Sequence, residues 1–444
     1  MIEYAYRYEH CSSVQSAEAG SRIHLAAMRY GERQAFFSAA LREARCAADW
    51  MLGLAQVVNT RFYVPPAMVA RRLAAADPVI TCGAERLRLE GFSPCCGAYA
   101  RVDLLPGAYE ATRAEAGTTN VDFRPEMRAA LAGVRHGEAA RLTVSAEEVE
   151  FSTGSGSAVE RKVRLPVRWL KGFAEVQAHQ ARMKPRFTLS GAMAQRFLRE
   201  LPRTTTRGDV WVTPVGAAVR MSRSAMPGAV RVGGIERLRI LAPLARQAQS
   251  LTVYAGEDGA TAWQLTRAEM RFLLALSPQA NRGFSGEGQV LFPLAAEPAR
   301  KALGAVRAAL RWQSRIAPEA LGAELGLGED EAAWALAQLG VSGLVGYDLA
   351  EGAYFHRELP FDFSLIEEMQ PRLKEARRLA AESGVRWEGE EAWVRGREVE
   401  HRVRKVDGVW RCTCPWIARH GLGRGPCKHI LAVEMDGGEG DGSD

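Results

Sequence analysis

The feature that most constrains this chain lies near its C-terminus: Cys412-Thr-Cys414, a loop of twelve residues, then Cys427-Lys-His429. Zinc takes four soft or borderline donors at about 2.0 to 2.3 Å, and three sulfurs with one imidazole supply that number. No position is left for water, so the site reads as structural and not catalytic. A disulfide between Cys412 and Cys414 would have to close a strained, very short ring. His420, inside the loop, is the alternative nitrogen donor.

The flanking residues fit the same reading. Glu398 to Lys405 has alternating character, Asp407-Gly408 is a strong two-residue turn, and Val409 to Cys414 returns as the partner strand. Beyond the loop, Ile430, Leu431, Ala432, Val433 and Met435 at helical spacing would pack back on the hairpin. Hairpin and helix alone are too small to bury a core, so metal would supply much of the folding free energy.

Residues 385–436 resemble the SWIM-type zinc finger, with its CxC, variable spacer and CxH after a hairpin and before a helix. The resemblance implies Cys412, Cys414, Cys427 and His429 as ligands of one structural Zn2+, with Pro415 and Lys428 where the family often has them. It also implies binding to DNA or to protein, without choosing between them. SWIM proteins resemble recurring partners of bacterial AAA ATPases of the MoxR kind, so an adaptor role is implied beside nucleic-acid binding.

The 444 residues allow several domains. The N-terminus has no basic region followed by an apolar stretch, and no run reaches membrane-span length, so a cytoplasmic protein without membrane contact is expected. Eight cysteines are too few for a disulfide scaffold. Cys82, Cys95 and Cys96 read as buried thiols, with a second metal site as the alternative. A net charge of +6 gives a slight push toward nucleic acid.

The expected fold class is α+β, multidomain. An N-terminal α+β region (1–120) begins with helical residues 21–60 and a helix over 66–73, followed by strands from Val79. An α+β domain (121–298) holds two helix-plus-meander runs, similar by analogy of fold alone to the halves of sliding-clamp-like folds. Residues 299–360 read as winged-helix-like: three helices, a Gly326-Leu-Gly328 turn, and a hairpin. Its third helix opens with Glu329, Asp330 and Glu331 and lacks base-reading residues, which favours a protein-facing or structural role. A linker helix (361–384) spaces it from the finger (385–436), and a disordered Gly/Asp tail (437–444) follows.

No catalytic constellation is found: there is no HExxH, Walker loop, GxSxG or deaminase pair. Asp103, Asp122 and Asp209 lie on or beside expected strands, and His24, His136 and His179 are isolated in sequence. The expectation is a zinc-binding, non-catalytic protein. In the first reading it contacts DNA, or an acidic protein partner, through Arg402, Arg404, Lys405, Arg411, Arg419, Arg424 and Lys428. The second reading is a protein adaptor for a larger complex such as a MoxR-type ATPase system, and a metal-dependent enzyme is a distant third.

Overall fold

The computed structural model describes residues 13–17, 20–24, 35–62, 78–83, 85–163, 165, 167–206, 208–295, 300–359, 370–382, 384–396 and 399–436. It opens with strands β1 (Ser13–Ala17), β2 (Gly20–His24) and β3 (Ala35–Leu41), then helix α1 (Ala44–Asn59). Five strands follow: β4 (Val79–Cys82), β5 (Leu87–Phe92), β6 (Ala98–Leu104), β7 (Tyr109–Ala114) and β8 (Gly117–Asn120). Next come α2 (Pro125–Gly133), β9 (Ala140–Ser145), β10 (Glu148–Thr153), β11 (Gly156–Arg161), α3 (Val167–Gln180), β12 (Lys184–Ser190) and α4 (Gly191–Glu200). The body ends with β13 (Asp209–Val215), β14 (Ala218–Ser222), β15 (Val230–Gly233), β16 (Ser250–Ala255), β17 (Thr261–Arg267), β18 (Met270–Leu276) and the short helix α5 (Leu291–Ala295).

The C-terminal third holds α6 (Arg300–Ala308), α7 (Pro318–Leu325), α8 (Glu329–Val341) and the hairpin β19 (Val345–Asp348) and β20 (Ala353–His356). Then come α9 (Pro371–Ala381), β21 (Val385–Glu388), β22 (Glu391–Arg395), β23 (Glu400–Val406), β24 (Val409–Cys412), α10 (Pro415–His420) and α11 (Lys428–Asp436).

An eight-stranded antiparallel sheet, ordered β12-β16-β17-β18-β6-β5-β4-β8, organises the body. It joins strands from both sides of residue 120. A five-stranded sheet, β11-β10-β9-β3-β7, and a three-stranded sheet, β14-β13-β15, flank it. On α1, Trp50, Leu54, Val57 and Val58 recur at helical spacing and are buried, and the helix packs on β5 and β6.

Strict alternation on β5 and β6 would ordinarily mean one wet face. Here both faces are buried. Leu87, Leu89, Val102 and Leu104 alternate with Arg88, Glu90, Arg101 and Asp103, and the charged side lies beneath the β19–β20 hairpin. Asp348 accepts from Arg88 at 2.8 Å and Arg101 at 3.1 Å, and Arg88 also meets Asp103 at 3.3 Å. Glu90 is held by Arg357 and the Tyr99 hydroxyl. Burial alone would raise the Asp348 carboxyl, but the Arg101 and Arg88 guanidiniums outweigh it and hold it well below the usual carboxylate range.

Several expectations are corrected. Residues 21–60 are not one helical segment, because β2 and β3 are strands and, among the described residues of that range, 44–59 form the helix. Alanine in β3 suggests a helix, but Phe37 and Leu41 are buried where the strand pairs with both β7 and β9, and that packing overrides propensity. Cys95 and Cys96 sit in a turn, with Cys96 buried at φ 54° but Cys95 half-buried and not fully enclosed. Residues 371–381 do form a helix, but α9 packs on α11 and is part of the finger's core instead of a spacer. The expected helix at 66–73, the linker residues 361–369 and the tail 437–444 lie outside the described residues.

Candidate metal centre

The register of β23 and β24 puts Val406 opposite Val409, so Asp407-Gly408 is a two-residue turn. Both residues have positive φ, 50° and 73°, as a hairpin turn matched to strand twist requires. β24 ends on Cys412, and Cys414 stands immediately before α10, whose first residue is Pro415. Cys427 and His429 bracket the start of α11, where the Ile430 N–H donates to the Cys427 sulfur at 3.5 Å.

One donor atom from each of Cys412, Cys414, Cys427 and His429 lies within 4.8 Å of all the others, and Nδ1 of His429 is 3.8 Å from Cys412 Sγ. Donors about 2.0 to 2.3 Å from a central zinc stand roughly 3.5 to 3.8 Å apart, so the set fits one tetrahedral ion. Cys414, Cys427 and His429 are buried. Hydrogen bonds from Cys412 and Cys427 hold the Cys414 thiol far below its usual range, and the same bonds push the Cys412 and Cys427 thiols up, so without an ion the three sulfurs share one thiolate. The His401 ring, which the spacing gave no reason to single out, covers His429 with centroids 4.4 Å apart. His420 packs instead against Trp416 and Arg424 and is not a donor.

Ile430, Leu431 and Val433 of α11 meet Ala392, Val394 and Val403 of the sheet, with Leu373, Ala376 and Leu379 from α9 and Leu291 from α5. The loop between the ligand pairs docks on the body. Gln289 donates to the Leu422 and Gly423 carbonyls, and Gly425 lies so close to Gly288 that an added Cβ would come within 2.0 Å of its carbonyl oxygen. Arg372 ties the same place together, donating to the carbonyls of Arg424 and Pro426 at 2.9 Å each and of Glu287 at 3.3 Å.

This junction holds buried ionisable groups that the sequence did not bring together. His179 is not isolated: its Nδ1 is 2.6 Å from Asp258, while Nε2 is buried without a partner among the described residues. One turn earlier, Glu175 Oε2 accepts the Gln289 N–H at 2.8 Å, and burial pushes the carboxyl up to about 7. Only helical i, i+4 spacing linked the two in sequence.

The seven cations read as contact residues are not equally free. Arg402 and Arg404 share Glu391 at 3.4 and 3.2 Å, and Lys428 meets Glu375 at 3.5 Å. Lys405 lies over the Trp410 ring and Arg424 over Trp416. Arg411 and Arg419 are exposed and make no ion pair with a described residue. Of the acids, Asp103 is enclosed by arginines, Asp122 stands near Arg124 and Asp209 near Arg231. Among the described residues the Cys/His set is the one group placed to hold a metal, and Cys82, Cys95 and Cys96 are outside it. No described helix is long and apolar enough to cross a membrane.

No curated protein matches the chain. Similar solved structures include proliferating cellular nuclear antigen from Entamoeba histolytica, at 10% identity over 55% of this chain and 100% of that one, TM-score 0.38. The PCNA2–PCNA3 complex from Sulfolobus tokodaii gives 8%, 55%, 99% and 0.38. A. fulgidus PCNA with the C-terminal region of FEN-1 gives 12%, 55%, 98% and 0.37. The family model for the SWIM zinc finger matches residues 401–437, the stretch that contributes β23, β24 and all four donors. The C-terminal end of this chain thus carries a SWIM zinc finger whose Cys412, Cys414, Cys427 and His429 fit one structural zinc ion.

Proposed function

We propose that this chain is a non-catalytic, zinc-dependent binding protein whose finger contacts nucleic acid through the solvent face of its four-stranded sheet. The observation that carries the reading is the register. Arg404 stands opposite Arg411, Arg402 lies two residues along on the same face, and Trp393 is opposite Arg402. Guanidiniums beside an aromatic ring suit phosphates and bases, and the zinc would hold the strands rigid behind them. Held by Cys412, Cys414, Cys427 and His429, a zinc ion would supply structural chemistry, tying the end of β24 to the start of α11.

The test is binding of the full, zinc-loaded chain to single- and double-stranded DNA between about 50 and 200 mM salt. Arg402→Ala with Arg404→Ala should lower the salt slope by about two, at roughly one per lost phosphate contact. Unchanged slope and affinity in the double variant would refute the finger as a contact.

A second reading is favoured by a different observation. In the winged-helix-like segment, the exposed Glu329, Asp330 and Glu331 lead α8, and the Glu331 side chain caps the Gly328 N–H at 2.9 Å. That acidic start suits the helix dipole and repels phosphate, so this segment would face a protein, as in an adaptor for a MoxR-type ATPase. Nuclease-resistant binding to such an ATPase, lost on Glu329→Lys with Asp330→Lys, would support it.

A further inference from the structure

The positive charge of this chain is concentrated away from the finger. Residues 182–246 hold thirteen Lys and Arg against three acids, Glu200, Asp209 and Glu236, a net of +10, while the whole chain carries +6, so the remainder sums to −4. A general preference for arginine would enrich cations everywhere, but it would not strip one segment of acids. Asp209 is already engaged by Arg231 and Glu236 by the Thr206 N–H.

The fold places six of these cations on α4 and on the elements that pack on it. Ala194, Phe197 and Leu198 of that helix are buried, whereas Arg196 and Arg199 are exposed. The helix packs on β12, on β14 and on the short turn Leu244–Arg246. Each of these neighbours presents exposed cations: Lys184 and Arg186 on β12, Arg220 on β14, and Arg246 on the turn. Both strands are edges of their sheets. None of the six makes an ion pair with a described residue, although Arg186 donates to the Ala255 carbonyl.

We infer that the α4 face is a second, larger anion-binding surface, built to grip the phosphate backbone of a nucleic acid duplex. Guanidiniums match phosphate geometry, and several unpaired ones on elements packed together need a partner with many closely spaced charges. A duplex offers one per about 1.7 Å of its axis. A lipid surface fits less well, because stable membrane attachment adds apolar anchors to cations. The large exposed hydrophobics among the described residues include only Val215 within residues 182–246. The surface would read backbone and not sequence. It is independent of what the finger binds.

The experiment uses the full, zinc-loaded chain and a mixed-sequence DNA duplex. Six phosphate contacts give a log–log salt slope near −5, an affinity loss on the order of a thousandfold between about 50 and 200 mM salt. Arg196→Ala with Arg199→Ala should flatten the slope by about two, whereas Arg196→Lys with Arg199→Lys should retain it. These side chains are exposed, and an unchanged zinc content and melting curve would establish that the fold is intact. Loss of binding on Arg402→Ala with Arg404→Ala, but none on the α4 substitutions, would overturn this surface and leave the finger reading standing. The opposite pattern supports this surface alone. Equal or tighter binding to vesicles of phosphatidylserine and phosphatidylcholine would overturn nucleic acid as the occupant.

Discussion

The eight-stranded sheet and the C-terminal finger each bury groups that water would otherwise solvate, but they satisfy them differently. Beneath the β19–β20 hairpin the chain supplies both signs of charge itself, with Asp348 and Asp103 facing Arg88 and Arg101. In the finger the chain supplies three sulfurs and one imidazole and requires an ion to balance them. The sheet can therefore form from sequence alone, while the finger depends on what its surroundings provide. The body core holds the fully buried Trp50, Trp169 and Trp263, which is apolar mass the finger does not have.

The sharpest way to separate the two is to remove the ion. Chelation, or Cys427→Ala, should open residues 385–436 to proteolysis while the body keeps its cooperative melt. Structural zinc contributes about 10 to 16 kcal/mol in isolated finger peptides, so this is the largest effect expected. A finger that stays protected without metal would erase the contrast.

The reverse experiment breaks the sheet's own balance. Asp348→Ala leaves the buried Arg88 and Arg101 with Asp103 as their one remaining shared acceptor, at a cost of about 3 to 5 kcal/mol in denaturant unfolding. Zinc content should not change. Replacing the whole cluster with apolar residues of similar volume could be neutral, because buried ion pairs add little net stability.

A third test lies where the two regions meet. Burial raises Glu175 to about 7 from an ordinary 4.5, with His179 opposing the shift and Glu287 adding to it. A raised carboxyl contributes stability that is full below pH 4.5 and is lost as pH rises through about 7. Glu175→Gln should flatten that decline and make the variant more stable than the parent above pH 7, by up to about 3 kcal/mol. A parent whose stability is level between pH 5 and 8 would contradict it.

The smallest effect should come from Gly425→Ala. The residue has φ 78°, and its new Cβ would press on the Gly288 carbonyl. A loss of about 1 to 3 kcal/mol and faster amide exchange in the 421–427 loop are expected, with zinc retained. Equal exchange in parent and variant would mean that the loop is not held by this contact.

The donor set was legible in sequence because all its information is local: four residues, one turn and one helix start within the twenty-three positions from 407 to 429. The ion cluster was not, because its partners lie some 250 residues apart and the alternation on β5 looks like that of a wet strand. Only the hairpin that covers Arg88 reveals otherwise. β3 was misread because the partner strands that hold it come from residues 109–114 and 140–145. The basic stretch around α4 could have been counted from the start, but the whole-chain charge averages it against acids elsewhere. The placement of α9 in the finger's core was hidden for a related reason, since its charged outer faces suggested a spacer more strongly than Leu373, Ala376 and Leu379 suggested a packing stripe.

That last placement bears on how portable the finger is. One wall of its apolar interior comes from α9 and another from Leu291, well upstream of the metal ligands. A graft of residues 385–436 into a foreign host would bring the ion site intact and leave Ile430 and Leu431 facing a missing wall. Transplantation would need α9 to travel with the motif and a surrogate for Leu291 in the new scaffold, so the transferable cassette is larger than the spacing of its cysteines announces.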